Sequence, residues 1–320
     1  MTGAYPNGGS EGEVGIKEAV DRHIEWLKVH NYSASTVKSR IHHLGCFASF
    51  MESLGIVNVS EISSSGLEAF QSLLYSHRKR DGHPLTFKTQ SQRLIPVKVF
   101  LTWLQCHAYS PVDLSKFIVL PKTERRLPKE TLSVKEVEDI LKAPDVTTPH
   151  GLRDRTILEV FWATAIRRAE LKNLKVRDVD INRLTLFVDQ GKGMKDRYVP
   201  LTESSAKWIE RYLLCVRPRL VTRDETGILF LGKSGKPLSL DFLSIIVHRY
   251  VTAVTNKSGA CHAFRHAAAT AMVDNGANLR HVAEFLGHSS ITTTQIYTSV
   301  SIEKLRQVHR ATHPGARAQV

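Results

Sequence analysis

Apolar residues recur at helical spacing through most of the first hundred positions. Val20, Ile24 and Leu27 share one face. Val37, Ile41, Leu44 and Phe47 make a second stripe behind the capping candidates Ser33 and Ser35, and Leu67, Phe70, Leu73 and Leu74 make a third. The run from Phe87 to Trp103 makes a fourth, bent or begun at Pro96. The pattern predicts a bundle of four or five helices over residues 15–115. Ahead of it, residues 1–14 are rich in Gly, Ser and Asn, carry no period and read as a flexible tail. Behind it, residues 116–130 hold prolines and basic residues without a helical period and read as a linker.

A second helical unit opens at Ser133, with Glu136 three residues on, the spacing of a capping box. Helical character is expected to about Ile181. The period then becomes that of strands at LTLFV (184–188) and RYVPL (197–201), with DQGKGMKD as the turn of a predicted β-hairpin, and GILFL (227–231) reads as a third short strand. Helices return from about Ser239. The expected fold class is therefore mainly α with a small antiparallel β-sheet. A helical-bundle N-terminal domain precedes an α+β domain over residues 131–320.

Charge narrows the choice of partner. The chain has 320 residues, 42% of them hydrophobic, and a formal charge of +13, which favours a polyanion. No apolar run approaches the ~18 residues of a membrane span, and the first residues lack the basic-then-apolar pattern of a signal peptide. A cytoplasmic protein facing nucleic acid, not a membrane, is expected. The four cysteines are far apart and form no CxxC pair, so reduced thiols are expected rather than a disulfide framework or a zinc ribbon.

Three clusters are candidates for chemistry. In CHAFRH (261–266) a helix would set His262, Arg265 and His266 on one face, which could equally be a solvated helix start. In ATAIRRAEL (163–171) Arg167 lies near an apolar stripe and needs a partner, Glu170 or an external anion. In QGKGMKDR (190–197) Lys192 sits between glycines at a hairpin tip, where a ligand can approach the backbone, though solvated turn lysines are common. The run GILFLGKS (227–234) matches the P-loop expression, but its intervening residues read as strand and Gly235-Lys236-Pro237 follows as a turn, so nucleotide binding is not expected.

Taken in order, Arg167, Lys192, His262, Arg265, His288 and Tyr297 resemble the catalytic set of the tyrosine recombinase (phage-integrase-like) family, and among its members most resemble the bacterial Xer site-specific recombinases. HAFRH stands where the family has HxLRH, LGH ends at His288, and TTTQIYTSV is the nucleophile box. Two positions depart: the family has Gly-Leu-Arg where this chain has Ala165-Ile166-Arg167, and Phe264 replaces a leucine. The resemblance implies a DNA-binding bundle and a catalytic domain that form a clamp around DNA. Tyr297 would attack a phosphodiester to give a 3′-phosphotyrosine and a free 5′-hydroxyl, with no metal, ATP or other cofactor. Arg167, Arg265 and His288 would hold the phosphate, His262 would be the base and Lys192 the acid. The partners it implies are double-stranded DNA at specific sites and a homo-tetramer, or a hetero-tetramer with a second recombinase. The helix predicted over residues 302–308 would dock into a neighbouring protomer.

Two other readings stand beside it: a type IB topoisomerase using the same chemistry to relax supercoils, and a non-enzymatic DNA-binding regulator on this fold. Within the first reading the sequence leaves open dimer or cointegrate resolution and mobile-element integration.

Overall fold

The computed structural model describes residues 13–122, 131–189, 196–222, 226–257 and 259–287. The chain divides into two compact units, residues 1–125 and 126–320. The chemistry predicted from sequence falls in the second.

The first unit is built from α1 (Ile16–Val29), α2 (Ala34–Ser53), α3 (Ser64–Ser76) and α4 (Phe87–Cys106), with short 3₁₀ turns at Val59–Glu61 and Leu114–Phe117. Polar N-caps start three of these helices: the side chains of Ser33, Ser63 and Thr86 accept the backbone N–H of Thr36, Gly66 and Thr89. Phe47, Phe70, Phe100 and Leu44 fill the core. Helix α4 starts at Phe87 and carries Pro96 in its interior, so the proline neither begins nor ends it. Two positions of the predicted stripes, Ile41 and Leu73, are exposed. Among the basic side chains of this unit, Arg78 caps the end of α3 by donating to the Ser76 carbonyl at 2.9 Å, and Lys98 donates to the Ile118 carbonyl at 2.9 Å.

The second unit opens with α5 (Val134–Lys142), whose capping box is closed. Ser133 Oγ accepts the Glu136 N–H at 3.2 Å, and the Glu136 carboxylate accepts the Ser133 N–H at 2.7 Å. Next come α6 (Pro149–Thr164), the short α7 (Arg168–Asn173) and a three-stranded antiparallel sheet: β1 (Val179–Asp180), β2 (Thr185–Val188) and β3 (Arg197–Pro200), in the order β1-β2-β3. The predicted hairpin is the β2–β3 pair, with Leu186 opposite Val199. The third strand is β1, not GILFL. The GILFL segment makes only single bridges, Lys175 to Ile228 and Leu231 to Pro237, and its Leu229 and Phe230 are core residues. Helices α8 (Glu203–Cys215), α9 (Leu240–Val254), α10 (Cys261–Asp274) and α11 (Leu279–Leu286) follow among the described residues.

Helical character was expected to about Ile181; the helices are separate, α5 ending at Lys142 and α6 at Thr164, where Ala165 (φ 48°, ψ 25°) turns into the left-handed region. The P-loop letters take another form as well: Gly232 N–H donates to the Lys236 carbonyl at 2.8 Å across a tight turn, and no helix begins before Leu240. A small apolar cluster of Ala165, Ala268, Ala269, Val273, Val282 and Leu286 joins the ends of α6, α10 and α11. Of the predicted site residues, Arg167 stands two residues past Ala165, and His262 and Arg265 lie on α10.

Candidate active site

Arg167 follows the left-handed turn at Ala165 and is the N-cap of α7, not a residue on a continuous helix face. Its main chain is fixed by Glu170, whose carboxylate accepts the Arg167 backbone N–H at 2.7 Å. Its guanidinium donates to Glu170 Oε1 at 2.8 Å and, through Nη2, to the Gly287 carbonyl at 2.8 Å. The two candidate partners the sequence offered, an acid and an anion, are thus not exclusive. Glu170 holds one edge of the fork, and a guanidinium has five N–H donors to distribute.

Arg265 lies on α10 and is 5% exposed. It donates to the Ala165 carbonyl at 2.6 Å and to the Leu286 carbonyl at 2.6 Å. Both acceptors sit at helix C-termini, where the aligned peptide dipoles leave partial negative charge. One buried cation therefore ties the end of α6 to the end of α11. A solvated helix face, the other reading of CHAFRH, fits the exposed His262 and His266 but not Arg265.

The two guanidiniums converge. Leu286 and Gly287 are consecutive, and their carbonyls accept from Arg265 and Arg167 respectively. Gly287 is the left-handed C-cap of α11 (φ 64°, ψ 48°), a conformation glycine adopts without strain. A β-carbon there would come within 3.0 Å of Cζ of Arg197. Arg197, the first residue of β3, donates from Nη1 and Nη2 to the two oxygens of Glu170 at 3.1 and 2.9 Å. Glu170 is buried, which opposes its ionisation. The bonds from Arg197 and from Arg167 prevail and bring its pKa down to about 2.

His262 stands one turn before Arg265. Its pKa is lowered, first by partial burial and then by the positive charges of Arg265, Arg168 and Arg167, so the imidazole is held neutral below the usual histidine range. Arg168 is anchored separately, donating to Ser244 Oγ of α9 at 2.6 Å. Burial pushes the neighbouring Cys261 thiol up to about 11, which leaves it an inert packing group.

Arg167 and Arg265 are therefore brought to one end of α11, with His262 one turn before Arg265 on α10 and within electrostatic reach of both. Lys192, His288 and Tyr297 lie outside the described residues, as does the helix predicted over residues 302–308. Sequence reasoning gave no role to Arg197 and read Gly287 only as the close of the amphipathic helix ending at Leu286, which it is. The available signals were Glu170 at i+3 from Arg167 and a glycine closing a helix immediately before a candidate histidine. Neither reveals that Arg197 packs on that glycine. What has been assembled is a set of cationic forks with a neutral imidazole beside them, suited to gripping a phosphate and taking a proton next to it.

The phage integrase family model matches residues 130–304. Tyrosine recombinase XerC 2 of Ralstonia nicotianae is 42% identical over 296 residues, covering 92% of this chain and 85% of that protein. Among solved structures, the XerH site-specific recombinase bound to its difH substrate in a pre-cleavage complex is 21% identical, with a TM-score of 0.66, covering 92% of this chain and 83% of that one. A lambda integrase tetramer bound to a Holliday junction is 16% identical, with a TM-score of 0.67, covering 90% of this chain and 78% of that one. At these identities the structural likeness is one of fold.

Proposed function

Because the chain belongs to the phage integrase family and is a tyrosine site-specific recombinase close to the Xer enzymes, we propose that Tyr297 cuts DNA by forming a 3′-phosphotyrosine. The phenolic oxygen attacks phosphorus, the bond from phosphorus to the 5′-oxygen breaks, and the freed 5′-hydroxyl of one duplex rejoins the other. His262 accepts the phenol's proton and Lys192 protonates the departing oxygen. Arg167, Arg265 and His288 hold the non-bridging oxygens. Each phosphodiester broken is stored as a phosphotyrosine ester, so rejoining needs no external energy source.

The observation that supports this reading is the convergence of Arg167 and Arg265 on consecutive carbonyls, Leu286 and Gly287, directly ahead of His288 in the sequence. Two rigid forks set there can stabilise the charge of a pentavalent phosphorane. Losing one such preorganised donor typically costs about 2.7–4 kcal/mol of transition-state energy. His262, whose pKa is lowered first by burial and then by the neighbouring arginines, is suited to act as a base.

The division of labour proposed is a core-binding bundle over residues 15–115, a linker over 116–130 and a catalytic domain over 131–320. Both domains would contribute basic contacts to the duplex backbone, and contacts to base edges would choose the site. Two duplexes present four strands to exchange, so the working unit proposed is a tetramer on DNA, the assembly named in the lambda integrase complex. It forms from four copies of this chain, or from this chain and a second recombinase.

The experiment uses duplexes nicked near the centre, with randomised flanking arms, from which the short cut fragment diffuses away and traps the covalent adduct. Sequencing adducted strands gives the site and mass spectrometry of the peptide gives the nucleophile. Adduct at Tyr297 through a 3′-phosphate is expected, with none from Tyr297→Phe. Adduct at another residue, or none at all, ends the proposal. Steady relaxation of a supercoiled plasmid lacking the recovered site would instead favour a topoisomerase.

A further inference from the structure

Glu170 raises an electrostatic difficulty for the site just proposed. A carboxylate in contact with Arg167 neutralises the very cation that must attract a phosphate. The structure answers with a second guanidinium. Glu170 Oε1 accepts from Arg167 Nη1 at 2.8 Å and from Arg197 Nη1 at 3.1 Å. Glu170 Oε2 accepts the Arg167 backbone N–H at 2.7 Å and Arg197 Nη2 at 2.9 Å. Both oxygens are therefore held from two sides, and the carboxylate cannot rotate without breaking the fork from Arg197. Two guanidiniums against one carboxylate leave the group with one net positive charge.

Resting on the reading above, we propose that Arg197 is a positioning residue for strand cleavage: its fork fixes Glu170, which orients Arg167, and its charge keeps the Arg167–Glu170 pair from becoming neutral. Three further features suit it to that task. Its side chain is 13% exposed, so a flexible or solvated orientation is not open to it. It opens β3, whose pairing with β2 fixes its backbone, with Val188 opposite. It also stands 3.0 Å from where a β-carbon on Gly287 would lie, against the residue whose carbonyl holds the other edge of Arg167. Arg197 thus touches both partners of Arg167. A lysine in its place would keep the charge and lose the second hydrogen bond of the fork.

The test measures single-turnover adduct formation on the recovered nicked duplex, beside the equilibrium affinity for that duplex, in the full-length chain. Arg197→Met is expected to slow cleavage about 100-fold, the loss that a misplacement of order 1 Å brings, with affinity within about threefold of the parent. Arg197→Lys is expected to recover part of that rate. Because Arg197 acts through Glu170, Arg197→Met combined with Glu170→Gln is expected to be no slower than Arg197→Met alone.

The pH profile separates positioning from general loss of structure. Glu170 is faced by Arg167 from its own helix and Arg197 from β3, while Arg168 of the same helix turns to Ser244 of α9. Removing Arg197 takes away the largest influence favouring its charge, so a second acid limb, beside the one His262 gives the parent, should appear in Arg197→Met and be lost again in the double variant. If Arg197→Met does not fold, Arg197→Lys carries the same test, with a tenfold or greater slowing expected. A parent rate in Arg197→Met or in a folded Arg197→Lys overturns this proposal alone, as does a double variant slower than Arg197→Met by the factor that Glu170→Gln alone costs the parent. Failure of the parent chain to form adduct overturns the Tyr297 reading and takes this proposal with it.

Discussion

Replacing Gly287 by alanine tests the packing on which the arrangement of both arginines depends. The residue holds φ at 64°, where an L side chain costs about 1 kcal/mol relative to glycine. The added β-carbon would lie 3.0 Å from Cζ and Nη1 of Arg197 and 3.1 Å from Nε, so the whole guanidinium plane must retreat by several tenths of an ångström. That motion lengthens the fork to Glu170, now 2.9 and 3.1 Å. Hydrogen bonds to charged groups contribute about 1.5–3 kcal/mol each, and weakening one by half costs about 1 kcal/mol. Alanine also narrows the unfolded ensemble, which returns about 0.5 kcal/mol. The expected loss is about 1–2 kcal/mol, read from urea denaturation of the full chain on the transition that the substitution moves. Repeating the substitution in an Arg197→Ala background separates the two contributions: there only the backbone cost should remain, about 1 kcal/mol or less. An equal loss in both backgrounds would refute the crowding argument. A loss under about 0.3 kcal/mol in both would refute the left-handed cap as well.

Three further outcomes are expected. Arg265→Lys should keep DNA affinity within a few-fold but slow adduct formation about 100-fold or more, because one ammonium cannot serve the Ala165 and Leu286 carbonyls and a phosphate with a planar fork; a near-parental rate would remove Arg265 from the site. Arg168→Met removes one of the charges that lower the His262 pKa, so the acid limb of the cleavage rate should shift to higher pH; no shift would separate His262 from the base role. His23 is buried in the first unit beside Trp103 and Phe100, with neither ring nitrogen hydrogen-bonded among the described residues, and burial, with Arg40 and His107 adding to it, lowers its pKa from 6.5 to about 4. The unfolded chain therefore binds that proton first: stability is complete above pH 6.5 and declines as pH falls through 4, by about 3 kcal/mol in all. His23→Leu should flatten that decline in the melting temperature of the full chain measured between pH 7.5 and 4.5, and an unchanged slope would contradict it.

Much of the scaffold was written locally. Ser133 and Glu136 announce a capping box because both halves of that contact lie within one turn. The strands β2 and β3 follow from short runs rich in β-branched and aromatic residues on either side of a glycine-containing turn. What escaped depends on distant partners. β1 has two residues, too few to show a period, and is a strand only because β2 lies beside it. GILFL has strand composition, yet its backbone pairs only in single bridges, Leu229 N–H donating to the Leu174 carbonyl at 2.8 Å, because no extended strand lies beside it among the described residues. Ile41 and Leu73 match a helical period but end up on the exposed side. In the site, the identities of Arg167, His262 and Arg265 were legible as types in an order. Their environment was not, since the acceptors of Arg265 are 100 and 21 residues away.

The break at Ala165 shows why the departure from the family's Gly-Leu-Arg leaves the arginines in place. A glycine is favoured there because the backbone must turn left-handed (φ 48°) to release Arg167 from α6 and present the Ala165 carbonyl to Arg265. Alanine costs about 1 kcal/mol in that conformation. Its methyl, however, is fully buried among Ala268, Ala269, Val282 and Leu286, and burying a carbon of that size contributes about 0.8 kcal/mol. The two effects nearly cancel, so the turn survives the substitution. The same buried cluster seats α11, whose last carbonyls receive both guanidiniums. The apolar contact that makes alanine tolerable thus also fixes the distance between Arg167 and Arg265.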